Sequence, residues 1–164
     1  MIKNNKGFSL MELTIVVLIL TVLLSIGIPQ YRAATRKTQI ASQLPIMRSL
    51  QNDMINFYNL YGNLPTSLFQ LSLNRGDFGD PQGDVTTATH NTNNCTFSLL
   101  EGGSTVEVDC GQGWNISYTV IANSNTIRPG SRTFNITEDE DLYIKIAENL
   151  GWEQVDDTNS FNII

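Results

Sequence analysis

Charge is scarce in this chain. Asp, Glu, Lys and Arg make up 16% of the 164 residues, against roughly 25% in an average soluble domain. That shortage excludes a charged coiled-coil rod and a long charge-rich disordered tail, and it argues against a plain cytosolic globule. Histidine occurs once, at His90, and cysteine twice, at Cys95 and Cys110. The sequence holds no Cys-His ligand cluster, Gly-rich phosphate loop or nucleophile elbow, so it reads as non-enzymatic and without a cofactor. Only one long hydrophobic run is present, which excludes a polytopic membrane protein.

The charges that exist are unevenly placed. Residues 8 to 28 hold 15 apolar side chains and a single charge, Glu12. Residues 30 to 60 carry 4 basic groups and 1 acidic group, whereas residues 61 to 164 carry 14 acidic groups against 4 basic ones. So acidic a zone repels phosphate. Arg75, Arg128, Arg132 and Lys145 are scattered through it and form no basic stripe, which disfavours nucleic-acid capture.

The apolar run, Phe8 to Ile28, is 21 residues long. As a helix it spans about 31 Å, close to the ~30 Å hydrocarbon core of a bilayer. A secretory signal peptide is one reading: Lys3 and Lys6 supply a basic start, Leu13 to Leu24 an apolar stretch, and Ser25 and Gly27 small residues for a cut. The run is long for that purpose, and amphipathic helix follows it without a break in pattern. Glu12 argues more strongly against it. A carboxylate among Leu, Met, Ile and Val costs on the order of 2.5–3.5 kcal/mol near a membrane centre, somewhat less near an end, so an acid kept there is a functional hypothesis. Lys3, Lys6 and the first amino group before the run balance Arg32, Arg36 and Lys37 after it, so positive charge does not set an orientation.

The string Lys6-Gly7-Phe8-Ser9-Leu10-Met11-Glu12-Leu13, continued by TIVVLILTVLLSIGIPQY, resembles the leader and N-terminal helix of type IV pilins and type II secretion pseudopilins. The resemblance implies a cut between Gly7 and Phe8 by a membrane-embedded prepilin peptidase. It implies methylation of the new Phe8 amine by the same enzyme, an assembly role for Glu12, and a helix kink at Pro29. It further implies a precursor in the inner membrane with its head in the periplasm, then a place in a pilus on the cell surface or in a periplasmic pseudopilus. The implied partners are an inner-membrane assembly platform, a cytoplasmic assembly ATPase, and other copies of the chain in a helical filament. The spacing is physically coherent: Phe8 and Glu12 are one helical turn apart, about 6 Å of rise, on one face. In a growing filament the acid of one subunit would meet the Phe8 amine of a neighbour, a pairing that is strong where the dielectric is low.

Pro29 lacks an amide hydrogen and is expected to kink or locally unwind the helix. Beyond it, Ile40, Leu44, Met47, Met54, Tyr58 and Tyr61 recur at a helical period, broadened by Ile46, Leu50 and Phe57. Gln43, Arg48 and Gln51 fall on other faces. Pro45 inside the stripe predicts a second kink or a junction of two helices. Gly62 and Pro65 end the helix. The exit from Tyr61 through Gly62 and Pro65-Thr66 to Leu68 is similar to that of many pilins. Residues 72 to 94 read as a long polar surface loop; Asp77, Asp80 and Asp84 in it are weak calcium candidates without EF-hand spacing.

Alternating stretches at Thr96–Leu100, Thr105–Asp109, Asn115–Ile121 and Arg132–Ile136, separated by Gly-rich turns, predict antiparallel strands. Val106, Val108, Ile116, Tyr118 and Val120 make one face that can pack on the helix stripe. Thr137 is placed to open a capping box with Glu140 for a short helix near 138–150, closed by Gly151. The closing SFNII reads as an edge strand. Cys95 and Cys110 either form one disulfide between neighbouring strands or remain two buried thiols.

The expected fold is therefore α+β, a long N-terminal helix packed on a small antiparallel sheet. Its expected parts are a leader (1–7), a transmembrane and assembly helix (8–28), an amphipathic helix half (29–62) and a β-rich head (63–164). The expected function is a structural subunit of a type IV pilus. Alternatives are a pseudopilin of a type II secretion system, a minor pilin, a DNA-uptake or adhesion pilin, and a simple anchored periplasmic protein.

Overall fold

One helix, α1, runs from Leu10 to Tyr61. The computed structural model describes residues 8–78, 85–91, 94–124, 126–138, 140–155 and 158–164. The chain divides into two compact units, Met1–Gln39 and Ile40–Ile164, and α1 contributes to both. Helical structure continues through Pro29 and Pro45 without interruption. This corrects the expectation of local unwinding at Pro29 and of two helices meeting at Pro45. Each proline removes one main-chain hydrogen bond, a cost of about 3 kcal/mol. Intact turns on either side hold the backbone helical through a local loss of that size.

In the first unit residues 10–28 of α1 are apolar nearly all round, and all of them are exposed. In the second unit α1 buries Ile40, Gln43, Met47, Leu50, Gln51 and Met54. These are spaced at three and four residues, with Gln51 adjoining Leu50, and they lie on one face. Two details differ from the sequence reading. Tyr61 is 67% exposed, because the stripe runs off the face as the helix ends. Gln43 and Gln51, assigned to other faces, are buried. Gln51 is held there by bonding: its Nε2 donates to the Thr119 carbonyl at 2.5 Å, and its Oε1 accepts from Arg132 Nε at 2.8 Å. Gly62 follows α1 at φ +75°, its amide donating to the Tyr58 carbonyl at 2.8 Å, the left-handed cap expected there.

Seven strands follow: β1 (Thr87–Thr89), β2 (Thr96–Leu100), β3 (Thr105–Asp109), β4 (Trp114–Asn123), β5 (Thr126–Ile136), β6 (Glu153–Gln154) and β7 (Ser160–Asn162). They form one antiparallel sheet in the order β1-β2-β3-β4-β5-β7-β6. The inward alternation is as expected: Val106, Val108, Ile116, Tyr118 and Val120 are buried, in one core cluster with Ile40, Met47, Leu50 and Met54. Burying each such side chain contributes roughly 1.5–3 kcal/mol. The fold is thus α+β, with the Ile40–Tyr61 half of the helix packed on the sheet.

The described part of the polar segment 72–94 is more structured than its composition predicts. It contributes β1, and Phe78 is 3% exposed. That ring meets Phe69, His90 and Phe97 edge-on, with centroids 5.2 to 6.3 Å apart. A single aromatic carries no periodic signal, which is why the segment reads as a loop. The closing Ser160–Asn162 strand is not an edge: it pairs with β5 on one side and β6 on the other.

A second helix, α2, spans Glu140–Asn149 and buries Tyr143, Ile146 and Ala147. Residue 139 lies outside the described residues, and Glu138 before it is not helical, so Thr137 does not cap this helix as expected. The Thr137 amide instead donates to the Gly113 carbonyl at 2.8 Å. At the other end, Gly151 at φ +76° donates to Glu148 at 3.0 Å and Trp152 donates to Ala147 at 3.1 Å. This is a Schellman ending.

Candidate functional site

The first turn of α1 gathers the charged and polar groups of an otherwise apolar segment. Ser9 precedes the helix, and its Oγ accepts from the Met11 amide at 3.3 Å. The Glu12 carboxylate reaches back, accepting from the Ser9 amide at 2.9 Å through Oε2. Ser9 and Glu12 form a reciprocal capping box that satisfies two otherwise orphaned amides. Sequence reasoning assigned Glu12 but missed Ser9. The signal was present as Ser-x-x-Glu immediately before an apolar run. A carboxylate in the first turn also complements the positive end of the helix. Glu12 is exposed, and Phe8 just outside the helix is 86% exposed. Gly7 lies outside the described residues.

Further along, the weakly polar side chains turn inward on their own helix. Thr14 Oγ1 donates to the Met11 carbonyl at 2.9 Å, Thr21 Oγ1 to Leu18 at 2.8 Å and Ser25 Oγ to Val22 at 2.7 Å. With these hydroxyls satisfied internally, an apolar medium meets few unbonded donors along this segment. The helix contains a segment long and apolar enough to cross a membrane, and none of that segment is buried.

In the second unit Cys95 and Cys110 form a disulfide with Cα atoms 4.0 Å apart. Cys95 immediately precedes β2 and Cys110 immediately follows β3, where Thr96 pairs with Asp109. The bond closes the open end of that hairpin. Cross-linking residues 15 apart in sequence is worth about 3 kcal/mol in the chain-entropy model.

Asp77 is exposed at the end of a short 3₁₀ turn, Arg75–Asp77; Asp80 and Asp84 lie outside the described residues. Among the described residues no three His, Cys, Asp or Glu side chains come together. An open cleft of about 360 Å³ beside β1 is lined by Phe78, Thr87, Ala88, Thr89, His90, Asn91 and Asn94. Among the described residues its lining holds no carboxylate, lysine or cysteine.

No solved structure matches the chain. Residues 2–28 match the family model of the prokaryotic N-terminal methylation motif. Those residues contain the Gly7-Phe8 junction, the capping box and the apolar helix just described. The leader motif and the apolar helix together indicate membrane insertion of the precursor. Over those residues the chain is similar to the prepilin-type leaders of type IV pilins and pseudopilins.

Proposed function

We propose that the chain is a prepilin, cut between Gly7 and Phe8 and methylated on Phe8. Its mature form, residues 8–164, polymerises through α1 into a type IV pilus. The observation that carries this reading is a membrane-length apolar helix with none of its span buried and one carboxylate a turn from the matched leader's end. Such a surface needs lipid before assembly and neighbouring helices after it. Glu12 links the two states: it pairs with its own chain end in the membrane and with a neighbour's Phe8 amine in the filament. Prepilin peptidase, an inner-membrane platform and an assembly ATPase are the partners in this reading. The chain's role is structural, and Pro29 lets the helix bend where it leaves the bilayer.

Two measurements test it. The intact mass of purified mature protein should show loss of residues 1–7 and gain of one methyl group; retention of Met1 sinks the reading. Glu12→Ala should leave membrane insertion intact while filament yield falls at least tenfold, and wild-type yield would remove Glu12 from assembly. Electron microscopy of sheared surface material separates a pilus, seen as long fibres, from a pseudopilus confined to the periplasm.

A further inference from the structure

The cleft of about 360 Å³ beside β1 is built from neutral groups. Thr87, Thr89 and Asn94 are exposed and His90 is half-buried, while Phe78 and Ala88 are buried and give the lining an apolar part. Main-chain bonds hold its walls. The His90 amide donates to the Cys95 carbonyl at 2.8 Å, the Asn94 amide to the His90 carbonyl at 3.2 Å and the Asn91 amide to the Asp77 carbonyl at 2.8 Å. Asn94 sits at φ +53°, a left-handed conformation that asparagine accepts more readily than most residues. The His90 ring stands edge-on to Phe78 at 5.2 Å. No hydrogen bond joins the Asn94 side chain or the Thr87 hydroxyl to another described residue. Thr89 and Thr96 share one bond between their hydroxyls at 3.0 Å, which leaves one of the two protons and further lone pairs unused.

From this arrangement we infer that the cleft binds a neutral saccharide of one or two rings. Its size supports this, lying near the lower end of the roughly 300–1,000 Å³ of ligand pockets. Its chemistry supports it as well. Among the described residues the lining holds no Asp, Glu, Lys or Arg, so neither an anion nor a cation finds a counter-charge there. Hydroxyls and side-chain amides both donate and accept, as sugar hydroxyls do. The apolar part suits the C–H face of a sugar ring. The neighbouring sheet surface continues the same pattern. Thr87 pairs with Ser98 and Thr89 with Thr96. The rows they begin run on through Glu107, Ser117 and Thr133, and through Asp109, Asn115 and Asn135. These residues are exposed or half-buried, with buried ones between them. The only charges in the two rows are the carboxylates of Glu107 and Asp109, which disfavour acidic sugars. The site does not depend on how α1 assembles, so this inference and the pilus reading can fail separately.

The test applies the full chain, solubilised in a detergent without a sugar headgroup, to an array of neutral mono- and disaccharides and their sialylated and sulfated forms. Wild type should bind at least one neutral member, and its acidic forms about tenfold more weakly. Calorimetric titration with that neutral saccharide then compares variants. T87V keeps the side-chain shape and N94G keeps the left-handed backbone, and each removes one hydrogen-bonding group. Each should weaken binding about fivefold, with an unchanged near-ultraviolet circular dichroism spectrum showing that the head still folds. T87S, which retains the hydroxyl, should bind as wild type does. Binding of no neutral saccharide overturns the inference. So does equal or tighter binding of the acidic forms, which contradicts the neutral assignment. Affinity unchanged in both T87V and N94G also overturns it, placing the sugar elsewhere on the chain.

Discussion

Two halves of one helix meet opposite fates. From Leu10 to Ile28 every residue of α1 is exposed, while from Ile40 onward the same helix buries six side chains against its own chain. The first half has more apolar side chains, yet the second half is the one with a core. Apolar surface stabilises a fold only where the chain supplies something to cover it. The sheet supplies cover for residues 40–54, and the first half is left to lipid or to other molecules. Polar groups divide in the same way. Thr14, Thr21 and Ser25 bond back to their own helix, whereas Gln51 bonds to the sheet.

The largest test of that contrast is a matched pair of truncations. Leu50→Ala removes a side chain that is 1% exposed and should cost about 2–5 kcal/mol. Thermal unfolding of the detergent-solubilised chain, followed by near-ultraviolet circular dichroism of the sheet unit, measures it. Leu18→Ala removes a side chain that is 65% exposed and should leave that transition in place. Equal losses would show that the two halves share one core. Next in size is the disulfide. Cys95→Ser with Cys110→Ser should lower the same transition by about 3 kcal/mol, while far-ultraviolet helicity from residues 10–28 persists.

How much of this the sequence announced depends on whether the signal is periodic. Strands β2 and β3 were legible to the residue, because both alternate and a Gly-rich turn follows each. The apolar helix was legible from its length, and Glu12 from its cost. Phe78 was not, because one aromatic in a run of Asn, Asp and Gly carries no pattern and its three ring neighbours come from distant positions. Gln51 was misplaced for a related reason. A glutamine is scored as polar, and its burial depends on a carbonyl 68 residues away and an arginine 81 residues away. Ser9 was overlooked although its pattern is local. The leader was read from the residues around Gly7 and Phe8, and residues 2–28 match the corresponding family model.

Gln51 provides the third and smaller test. Gln51→Leu keeps the volume and removes both bonds, leaving the Thr119 carbonyl and Arg132 Nε without this partner. It should cost about 1–3 kcal/mol in the thermal transition. Thr21→Val in the other half removes a hydroxyl bonded only to its own helix and should leave that transition unmoved. If Gln51→Leu proves neutral, the polar contact sets the register of helix on sheet without stabilising it.

The smallest effect is one of pH, and it is confined to the second half. Burial pushes the Tyr118 phenol above its ordinary value of 10.0, and Arg48, with Arg132, partly pulls it back. Among the described residues no group meets the hydroxyl in good hydrogen-bond geometry, so Arg48 acts at looser geometry. The folded state therefore holds the Tyr118 proton more tightly than the unfolded chain does. Stability from this group is complete below pH 10 and is lost as pH rises from there through the higher folded value. The difference in melting temperature between wild type and Tyr118→Phe should be flat up to pH 10 and change above it. Arg48→Gln should extend that change to still higher pH with its onset left near pH 10, since the guanidinium favours the phenolate of the folded state. Arg32→Gln, a cation of the same kind in the first half, should not move it. A shift with Arg32→Gln would mean that the two halves are electrostatically coupled, and the division between them would have to be redrawn.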